Sequence, residues 1–530
     1  MNGTVRFAGW RAGAALFLAL ALVAAASHTA PDLDAADAAA NGAPADLGAL
    51  VEDRTIHANA VSPQVATPIG VNFTGLTMAD TVAEAETIPD EARYQDITVL
   101  ARRGLSPPDT IGGVGPQHIV ELVNGAYAVY DKTGARLASS TLSTFWSDAG
   151  IAGVQQQPVV YDPVVQYDLM SQRWFALAED NSFGNATSPN RILLAVSHSP
   201  DPTAGWKGYA WASNPPNTDP AEQLWADQAT LGFNRDGVFI AANMFPLGRS
   251  DFPPDYTSIF AVPKEDLLRG VPNEQLTVTR FDRLDPEAIG YFVQPAIDLD
   301  DTGGPPVLLA DLANVGLPGR FKISLLTGDV RSPRLDTSVA PIELRPYGTP
   351  PAARQPNGAG DIDTGDGQFM LAPSLIVRNG SLWGVENVES NDRVALRWFE
   401  IDTRTGTLRQ EGLIAYPYLD FYYGSIAVNE FGDVVLGFNG SGADQFISSY
   451  AAIGRTLGGT TAFGIPMLLK EGADTYEYKL SPTMRRLRWG DYSGTVIDPL
   501  DPRAFWTFGE FVLDRDRWGT QISQIQVPPR

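Results

Sequence analysis

The sequence predicts an all-β fold, a β-propeller of seven four-stranded blades with insertions in its loops. One strand–turn–strand pattern returns seven times after residue 104. Asp or Asn stands at the turn in six of the seven copies, and both residues tolerate turn geometry because their side chains bond the local backbone. The copies contain no long stretch of helical periodicity. A β-sandwich would not explain the recurring offset.

The clearest copies run from Asp227 to Asn243 and from Asp491 to Glu510. Each holds a short apolar strand, a turn residue and a second strand rich in β-branched and aromatic residues. Aligned on these two, the copies begin at Asp109, Gln155, Asp227, Gln294, Ala372, Tyr422 and Asp491. Their second strands are predicted to end at Asn124, Glu179, Asn243, Asp311, Glu386, Asn439 and Glu510.

Turn and strand signals between the copies predict how the blades are completed. Asp131–Gly134 and Asp402–Gly406 read as turns between outer strands. The segment 518–525 alternates polar and apolar residues and predicts a strand. A ring of blades must join its two ends, because an open sheet edge promotes aggregation. We therefore expect this last strand to pair with strands from the N-terminal side, such as the one around Phe73.

The N-terminus predicts export. Arg6 and Arg11 precede an apolar run from Ala14 to Ala26 that ends in small residues, which is the pattern of a secretory signal peptide. We assign residues 1–30 to the signal, 31–70 to a disordered acidic linker rich in Ala and Pro, and 71–530 to one propeller domain with an insertion at about 78–104. The predicted location is secreted, either extracellular or periplasmic. No membrane span is expected after cleavage, although an uncleaved anchor is the alternative.

Composition narrows the possible chemistry. The net charge of −24 disfavours nucleic acid and anionic lipid as partners, and suits solubility, cation binding or a neutral or cationic target. Four histidines make a three-histidine zinc site improbable. The chain has no cysteine, hence no disulfide and no thiol chemistry. Hydrolytic chemistry would therefore fall to carboxylates, tyrosine or a hard metal ion.

Four motifs resemble a group of secreted bacterial sialidase-like propellers without an agreed activity. They are residues 107–118 (PPDTIGGVGPQH), 158–163 (PVVYDP), Arg173-Trp174 and 488–493 (RWGDYS). The resemblance runs from about Phe73 to the C-terminus and implies a propeller fold and export. The chain departs from the group at Gln156-Gln157, where related sequences have Gly-Asp, and in having no cysteine.

The start and end positions of the copies predict a cluster of acids at one mouth of the central channel. The candidate catalytic residues are Asp109, Asp227, Asp491, Glu386 and Glu510, with Glu179 among the candidates for substrate binding. Carboxylates held close together raise one another's pKa values or recruit a cation, as acid–base chemistry requires. The alternative is that these acids bond the backbone of neighbouring blades and hold the ring together.

Aromatic residues beside these positions predict a stacking surface for sugars. Tyr422, Tyr423 and Trp225 are the candidate substrate-binding rings, because the apolar face of a sugar packs on an aromatic ring. The alternative is ordinary packing within the blades.

A loop at residues 361–367 predicts a calcium site. Asp361, Asp363 and Asp366 alternate with other residues, and the loop contains two glycines, although it departs from an EF-hand at Gly365 and Ala372. The alternative is an acidic turn. The basic cluster Arg485, Arg486 and Arg488 is expected to pair with the acidic surface.

Three functions are compatible with these patterns. The first is a non-catalytic propeller that binds an extracellular or cell-surface ligand, a glycan being favoured. The second is a glycan-active hydrolase or lyase that uses the carboxylates at the channel mouth. The third is other chemistry, such as that of an esterase or an oxidoreductase. Fold alone does not choose among them, because propellers host unrelated functions.

Overall fold

A computed structural model describes residues 68–88, 98–100, 103–154, 159–181, 189–247, 253–301, 303–312, 319–364, 375–478 and 487–529. The predicted signal peptide, nearly all of the predicted linker, and positions Gln155, Ala372 and Asp366 lie outside these residues. Within them β-strands dominate, which confirms the all-β prediction.

The chain folds into successive antiparallel meanders, each of which pairs its strands in order into a four-stranded sheet. Three strands come before the first meander: β1 (Ile69–Thr77), β2 (Thr98–Leu100) and β3 (Gly104–Ser106). Meander A comprises β4 (Ile111–Val114), β5 (His118–Val123), β6 (Ala126–Asp131) and β7 (Arg136–Thr141). Meander B comprises β8 (Val160–Asp168), β9 (Arg173–Asp180), β10 (Arg191–Ser197) and β11 (Trp206–Ala212). Meander C comprises β12 (Leu224–Phe233), β13 (Gly237–Pro246), β14 (Tyr256–Pro263) and β15 (Thr279–Leu284).

The C-terminal half repeats this plan with small variations. Meander D comprises β16 (Tyr291–Asp298), β17 (Val307–Asp311) and β18 (Arg320–Thr327), with β19 (Arg334–Asp336) and β20 (Ile342–Glu343) sharing the fourth position. Meander E comprises β21 (Leu375–Arg378), β22 (Ser381–Glu389), β23 (Val394–Asp402) and β24 (Thr407–Ile414). Meander F comprises β25 (Asp420–Val428), β26 (Asp433–Gly442) and β27 (Gln445–Leu457), with β28 (Thr460–Phe463) and β29 (Met467–Lys470) both pairing with β27. Meander G comprises β30 (Gly494–Ile497), β31 (Ala504–Asp514) and β32 (Arg517–Gln526).

Within the described residues, helices are short and lie in the connections. The α-helices are α1 (Val82–Ala85), α2 (Leu142–Asp148), α3 (Lys264–Leu268) and α4 (Pro286–Ile289). Single 3₁₀ turns span Met78–Thr81, Pro202–Ala204, Pro220–Glu222, Asn273–Gln275 and Pro356–Gly358. No helix in the described part of the chain is both long and apolar enough to cross a membrane.

The first strands of the meanders lie next to one another. Each first strand contacts the first strand of the following meander, and β30 contacts β4. In meanders C, D and E these strands also pair in parallel, through Phe233 with Ile297 and Ile297 with Ile376, and this merges the three sheets into one. The starts of the first strands therefore lie at one end of the assembly and their carboxyl ends at the other.

The two ends of the domain meet in meander G. Strand β1 pairs antiparallel with β32 and supplies its fourth strand, with Phe73 opposite Ile522. The buried Glu121 of meander A accepts a hydrogen bond from the Leu76 backbone N–H at 2.9 Å. The predicted pairing of the C-terminal strand with the strand around Phe73 is confirmed.

The predicted turns are also confirmed. At the turn between β6 and β7, the Gly134 N–H donates to the Asp131 carbonyl at 3.0 Å, and Gly134 has a φ of +92° that a residue with a Cβ rarely adopts. The Asp131 carboxylate accepts from the Thr133 N–H at 2.8 Å. The equivalent bond from Gly406 to Asp402 closes the turn between β23 and β24 at 2.8 Å.

Apolar side chains between adjacent meanders form the core. One cluster joins meanders E and F through Val385, Leu396, Ile426 and Leu436. A second joins F and G through Ala427, Val435, Phe505 and Ile525. Burial of such side chains is the main stabilising term for a chain without disulfides.

Candidate functional site

The first strands carry a repeated backbone feature at their starts. At several of these starts, one residue has a φ between 49° and 52°, in the left-handed region. In four of the first strands, the register of pairing with the second strand also shifts at this residue. The residues with this φ are Asp109, Asp162, Gln228, Phe292 and Tyr423. A β-bulge of this kind redirects the side chains that follow it. This conformation is costly for a residue as bulky as Phe or Tyr, so the surrounding structure must hold it.

Four carboxylates and one arginine come together beside these bulges. This acid cluster consists of Asp109, Asp162, Asp363, Asp491 and Arg488. Arg488 Nη2 donates to Asp491 Oδ2 at 2.7 Å, and the Asp491 N–H donates to Asp109 Oδ1 at 3.1 Å. All four aspartates are at most 8% exposed. One guanidinium therefore faces several buried acids.

Asp363 reaches the cluster through a short parallel contact between two segments. Ile362 bridges to Leu487, and the Asp363 N–H donates to the Leu487 carbonyl at 2.9 Å. Burial is the largest effect on the pKa of Asp491 and raises it, and the Arg488 charge opposes this shift. The contact between the two segments brings Asp363 close enough for its charge to raise the pKa of Asp491 further.

Burial and mutual repulsion favour protonation of two of the acids. Burial raises the pKa of Asp109 well above its ordinary value, and the charges of Asp491 and Asp162 raise it further. Burial likewise raises the pKa of Asp162 well above the ordinary range, with Asp227 and Asp491 adding to the effect. Arg488 opposes both shifts. The cluster can therefore hold protonated and ionised carboxyls side by side.

Glu179 and Glu510 form bonds between meanders. Glu179 Oε1 accepts from the Ala229 N–H of meander C at 2.7 Å, and Glu510 Oε1 accepts from the Thr110 N–H before meander A at 3.2 Å. Burial raises the pKa of both carboxyls well above the ordinary value. Their other oxygens have no hydrogen-bond partner among the described residues. Both glutamates thus fit the structural alternative that the sequence left open.

Two asparagines make the same kind of bond. Asn124 Oδ1 accepts from the Asp162 N–H at 3.1 Å, and Asn387 Oδ1 accepts from the Tyr423 N–H at 3.1 Å. We call this contact, from the end of a second strand to the start of the next first strand, the latch. Since a neutral amide makes it as well as a carboxylate does, the latch does not require charge.

Glu386 lies away from the acid cluster, and its predicted place at the channel mouth is wrong. Its Oε1 accepts from Arg397 Nε at 2.6 Å, and both side chains are 1% exposed. The adjacent Asn387 occupies the latch position instead. Side chains alternate between the two faces of a strand, so an error of one residue in register assigns a side chain to the wrong face.

The predicted stacking surface is also wrong. Tyr422 and Trp225 are 0% and 1% exposed and pack within the core, Tyr422 against Tyr423 and Trp225 against Tyr161 and Phe245. Tyr423 is 3% exposed and its hydroxyl donates to the Asp363 carbonyl at 2.8 Å. Tyr423 therefore borders the acid cluster as a buried hydrogen-bonding group.

The remaining predicted residues divide between the cluster and the surface. Asp227 pairs with Asn243 in the sheet and lies near Asp162. Asp361 is exposed, Asp363 belongs to the acid cluster, and Asp366 lies outside the described residues. Among the described side chains, no group of three or more His, Cys, Asp or Glu residues could hold a metal ion.

Sequence reasoning missed the importance of Asp162 and Arg488. Asp162 stands in the 158–163 motif, but the alignment placed the start of that copy at Gln155. Arg488 was assigned to the acidic surface, whereas it pairs with Asp491 within one motif. The signal that could have found both was present in the motifs themselves, because each carries one of these residues.

Acidification is expected to stabilise the fold. A carboxyl whose pKa is raised by folding contributes stability that is complete below its unfolded pKa of ~4 and is lost as the pH rises through the folded-state pKa. Since the pKa values of Asp109, Asp162, Glu179 and Glu510 are raised, Tm should increase from about pH 8 to about pH 5.5.

Asp162→Asn should flatten this increase, whereas the exposed control Asp392→Asn should not, although both replace one carboxyl by an amide. Thermal melts across the pH range measure the effect. A wild-type Tm that stays level or falls on acidification would contradict it.

No protein-family model and no curated protein matches the chain. Among solved structures, it is similar to a Synechocystis apocarotenoid oxygenase, at 12% identity over 70% of this chain and 72% of that chain, with a TM-score of 0.39. It is also similar to extracellular domains 1–2 of Drosophila Semaphorin 1b, at 8% identity over 78% and 83%, with a TM-score of 0.34. An endo-arabinase of Bacteroides thetaiotaomicron matches at 13% identity over 56% and 93%, with a TM-score of 0.30. These scores are low, so we draw no functional conclusion from them.

Proposed function

We propose that the chain is an exported seven-bladed β-propeller that binds a ligand, in our view a glycan, at the acid cluster. The ring order of the first strands and the completion of meander G by β1 support closure into a propeller. Export rests on the N-terminal sequence. The sialidase-like resemblance remains a prediction.

The observation that carries the ligand proposal is the acid cluster itself. Burying several like charges is costly. Two of the cluster acids accept backbone N–H bonds from neighbouring meanders, Asp109 from Asp491 and Asp162 from Gln228, whereas Asn124 and Asn387 make comparable contacts without charge. The acids are also unevenly distributed among the meanders. Asp109, Asp162 and Asp491 precede or begin first strands in A, B and G, whereas Phe292 and Tyr423 hold the bulge in D and F. This asymmetry is typical of a directional site.

A polyhydroxylated ligand suits this chemistry. Ionised carboxylates accept hydrogen bonds from hydroxyl groups, protonated carboxyls can donate, and Arg488 donates from a fixed plane. The Arg488 side chain is 22% exposed and would be the group that a ligand reaches first, whereas Tyr422 and Trp225 are 0% and 1% exposed and pack against other rings. The test is a panel of neutral and acidic oligosaccharides, assayed for binding and for cleavage with wild type and Asp491→Asn.

Glycan hydrolysis or elimination is the second candidate. The favouring observation is that Arg488 pairs directly with Asp491, while Asp162 has no ion pair among the described residues and burial raises its pKa well above the ordinary range. A general acid and a general base need two carboxyls with different pKa values, and different environments provide that difference. Products released from the panel by wild type, and not by Asp162→Asn, would select this candidate.

Calcium is a further proposed ligand of the same region, based on Asp361, Asp363 and Asp366 in the sequence. Binding to the folded state alone would raise stability by ~2.7 kcal/mol at a hundredfold excess over Kd. We expect a chelator to lower Tm in wild type and to lower it less in Asp363→Ala. An equal Tm with and without chelator in calcium-loaded protein would contradict the proposal.

A further inference from the structure

We propose a second ligand site at the opposite end of the first strands, one that takes a small apolar carboxylate. A cavity of about 380 Å³ lies there, between the carboxyl ends of the first strands. It is lined by residues of β4, β8, β16, β21, β25 and β30 and by the turns that follow. This volume falls within the range of small-molecule pockets, about 300–1,000 Å³. It is also far larger than the voids of a packed core.

The wall of the cavity is largely apolar. Ile297 and Ile376 belong to one hydrophobic cluster, Val114 and Val496 to a second, and Ala427 to a third. The cavity therefore lies where three packed regions meet and none of them fills the space. At the rim, Leu169 is 56% exposed, and Leu500, next to the lining residue Pro499, is 65% exposed. An apolar ligand would bury surface that now faces water.

Arg378 supplies a positive group in this wall. Its Nη1 donates to the Leu299 carbonyl at 2.7 Å, and its Nε is buried without a hydrogen-bond partner among the described residues. The guanidinium forms two long ion pairs, at 3.8 Å to Asp300 and 3.7 Å to the half-exposed Glu430. Asp300 already accepts from the Asn379 and Gly380 N–H groups, at 2.8 and 2.7 Å. Both ion pairs are longer than a hydrogen bond, and neither uses Nε, so the guanidinium keeps a donor that a ligand could bind.

The other acids of the lining are compensated. Asp168 accepts from Lys264 Nζ at 2.8 Å, and Asp498 accepts from Trp506 Nε1 at 3.0 Å and pairs with Lys132. Among the described lining residues, two buried donors therefore have no hydrogen-bond partner, the Tyr167 hydroxyl and Arg378 Nε, and the second belongs to a cation. A carboxylate on an apolar chain would satisfy Arg378 and fill the apolar space, which neither a sugar nor a simple anion would do.

The test uses octanoate as the probe, with 1-octanol and acetate as partial mimics. We expect octanoate to bind the full-length protein saturably near one to one by calorimetry and to raise its Tm. Octanol lacks the charge and acetate lacks the chain, so each should bind at least about tenfold more weakly. Absence of saturable octanoate binding, or equal binding of octanol, would overturn the proposal.

Two variants locate the site. Arg378→Gln should weaken octanoate binding about tenfold or more and abolish its advantage over octanol. Val496→Phe, which adds bulk to a lining position, should weaken both. The control Arg503→Gln removes a cation that contacts Phe431 and Asp433 but does not line the cavity, and it should bind as wild type does. Wild-type affinity in folded Arg378→Gln, or in folded Val496→Phe, would place octanoate elsewhere and overturn the proposal.

Discussion

Removal of residues 516–530 is expected to leave the chain insoluble. This truncation deletes β32, which pairs on one side with β31 and on the other with β1. Both neighbours would then present unpaired N–H and C=O groups, and such edges promote association between chains. Apolar side chains including Trp518, Ile522 and Ile525 would also leave the core. Soluble expression and sedimentation measure the outcome.

A matched truncation separates this effect from the loss of chain length. Removing only residues 529 and 530 leaves β32 intact, so this variant should remain soluble with the Tm of wild type. A soluble protein with an unchanged Tm after loss of 516–530 would show that closure by β32 is unnecessary.

Glu386→Gln is expected to lower the free energy of unfolding by about 3–5 kcal/mol, as breaking a buried ion pair does. The substitution leaves Arg397 buried beside a neutral amide, with only the more distant Glu411 at 3.8 Å. The Arg397 guanidinium also lies over Phe321 and Tyr347, so it cannot turn to solvent without losing that packing. Denaturant unfolding monitored by tryptophan fluorescence measures the change.

The double variant Glu386→Gln, Arg397→Met is the control. It removes both charges and should recover much of the lost stability, because replacing a buried pair by apolar groups is often close to neutral. Ligand binding should be unaffected in either variant once folded. A stability change below about 1 kcal/mol, or a selective loss of binding, would return Glu386 to the list of site residues.

The positions of the strands were predictable from sequence where the local residue types favour a strand. The copies beginning at Asp227 and Asp491 correspond to β12–β13 and β30–β31, because runs of β-branched and aromatic residues bounded by turn residues have one favourable local structure. Alternation in 518–525 identified β32, and Phe73 its partner. The convergence of Asp109 and Asp491 followed from their shared place before first strands.

The side-chain directions were not predictable to the same degree. The bulges at Asp162, Gln228, Phe292 and Tyr423 each insert one residue into a first strand, and no sequence pattern marks their position. A sequence pattern that lacks these bulges is displaced by a residue or more, so it predicts Tyr422 in place of Tyr423 and Asp227 in place of Gln228. The pairing of Arg488 with Asp491 lies within one motif, but the approach of Asp109 and Asp363 to the same guanidinium was not predictable, because these acids are distant in sequence and only the fold brings them together.

The acid cluster as a ligand site is tested most directly by comparing Asp491→Asn with Asp498→Asn. Both aspartates are buried, each pairs with one cation, and they flank the two ends of the same strand, β30. Each substitution should cost about 1.5–3 kcal/mol of stability. The oligosaccharide that binds wild type most tightly is then titrated into both folded variants.

We predict that Asp491→Asn loses at least about tenfold in affinity, equivalent to ~1.4 kcal/mol, while Asp498→Asn retains the affinity of wild type. Equal affinity in the two variants, or no binding of any oligosaccharide by wild type, would contradict the account and assign the cluster to the architecture of the ring.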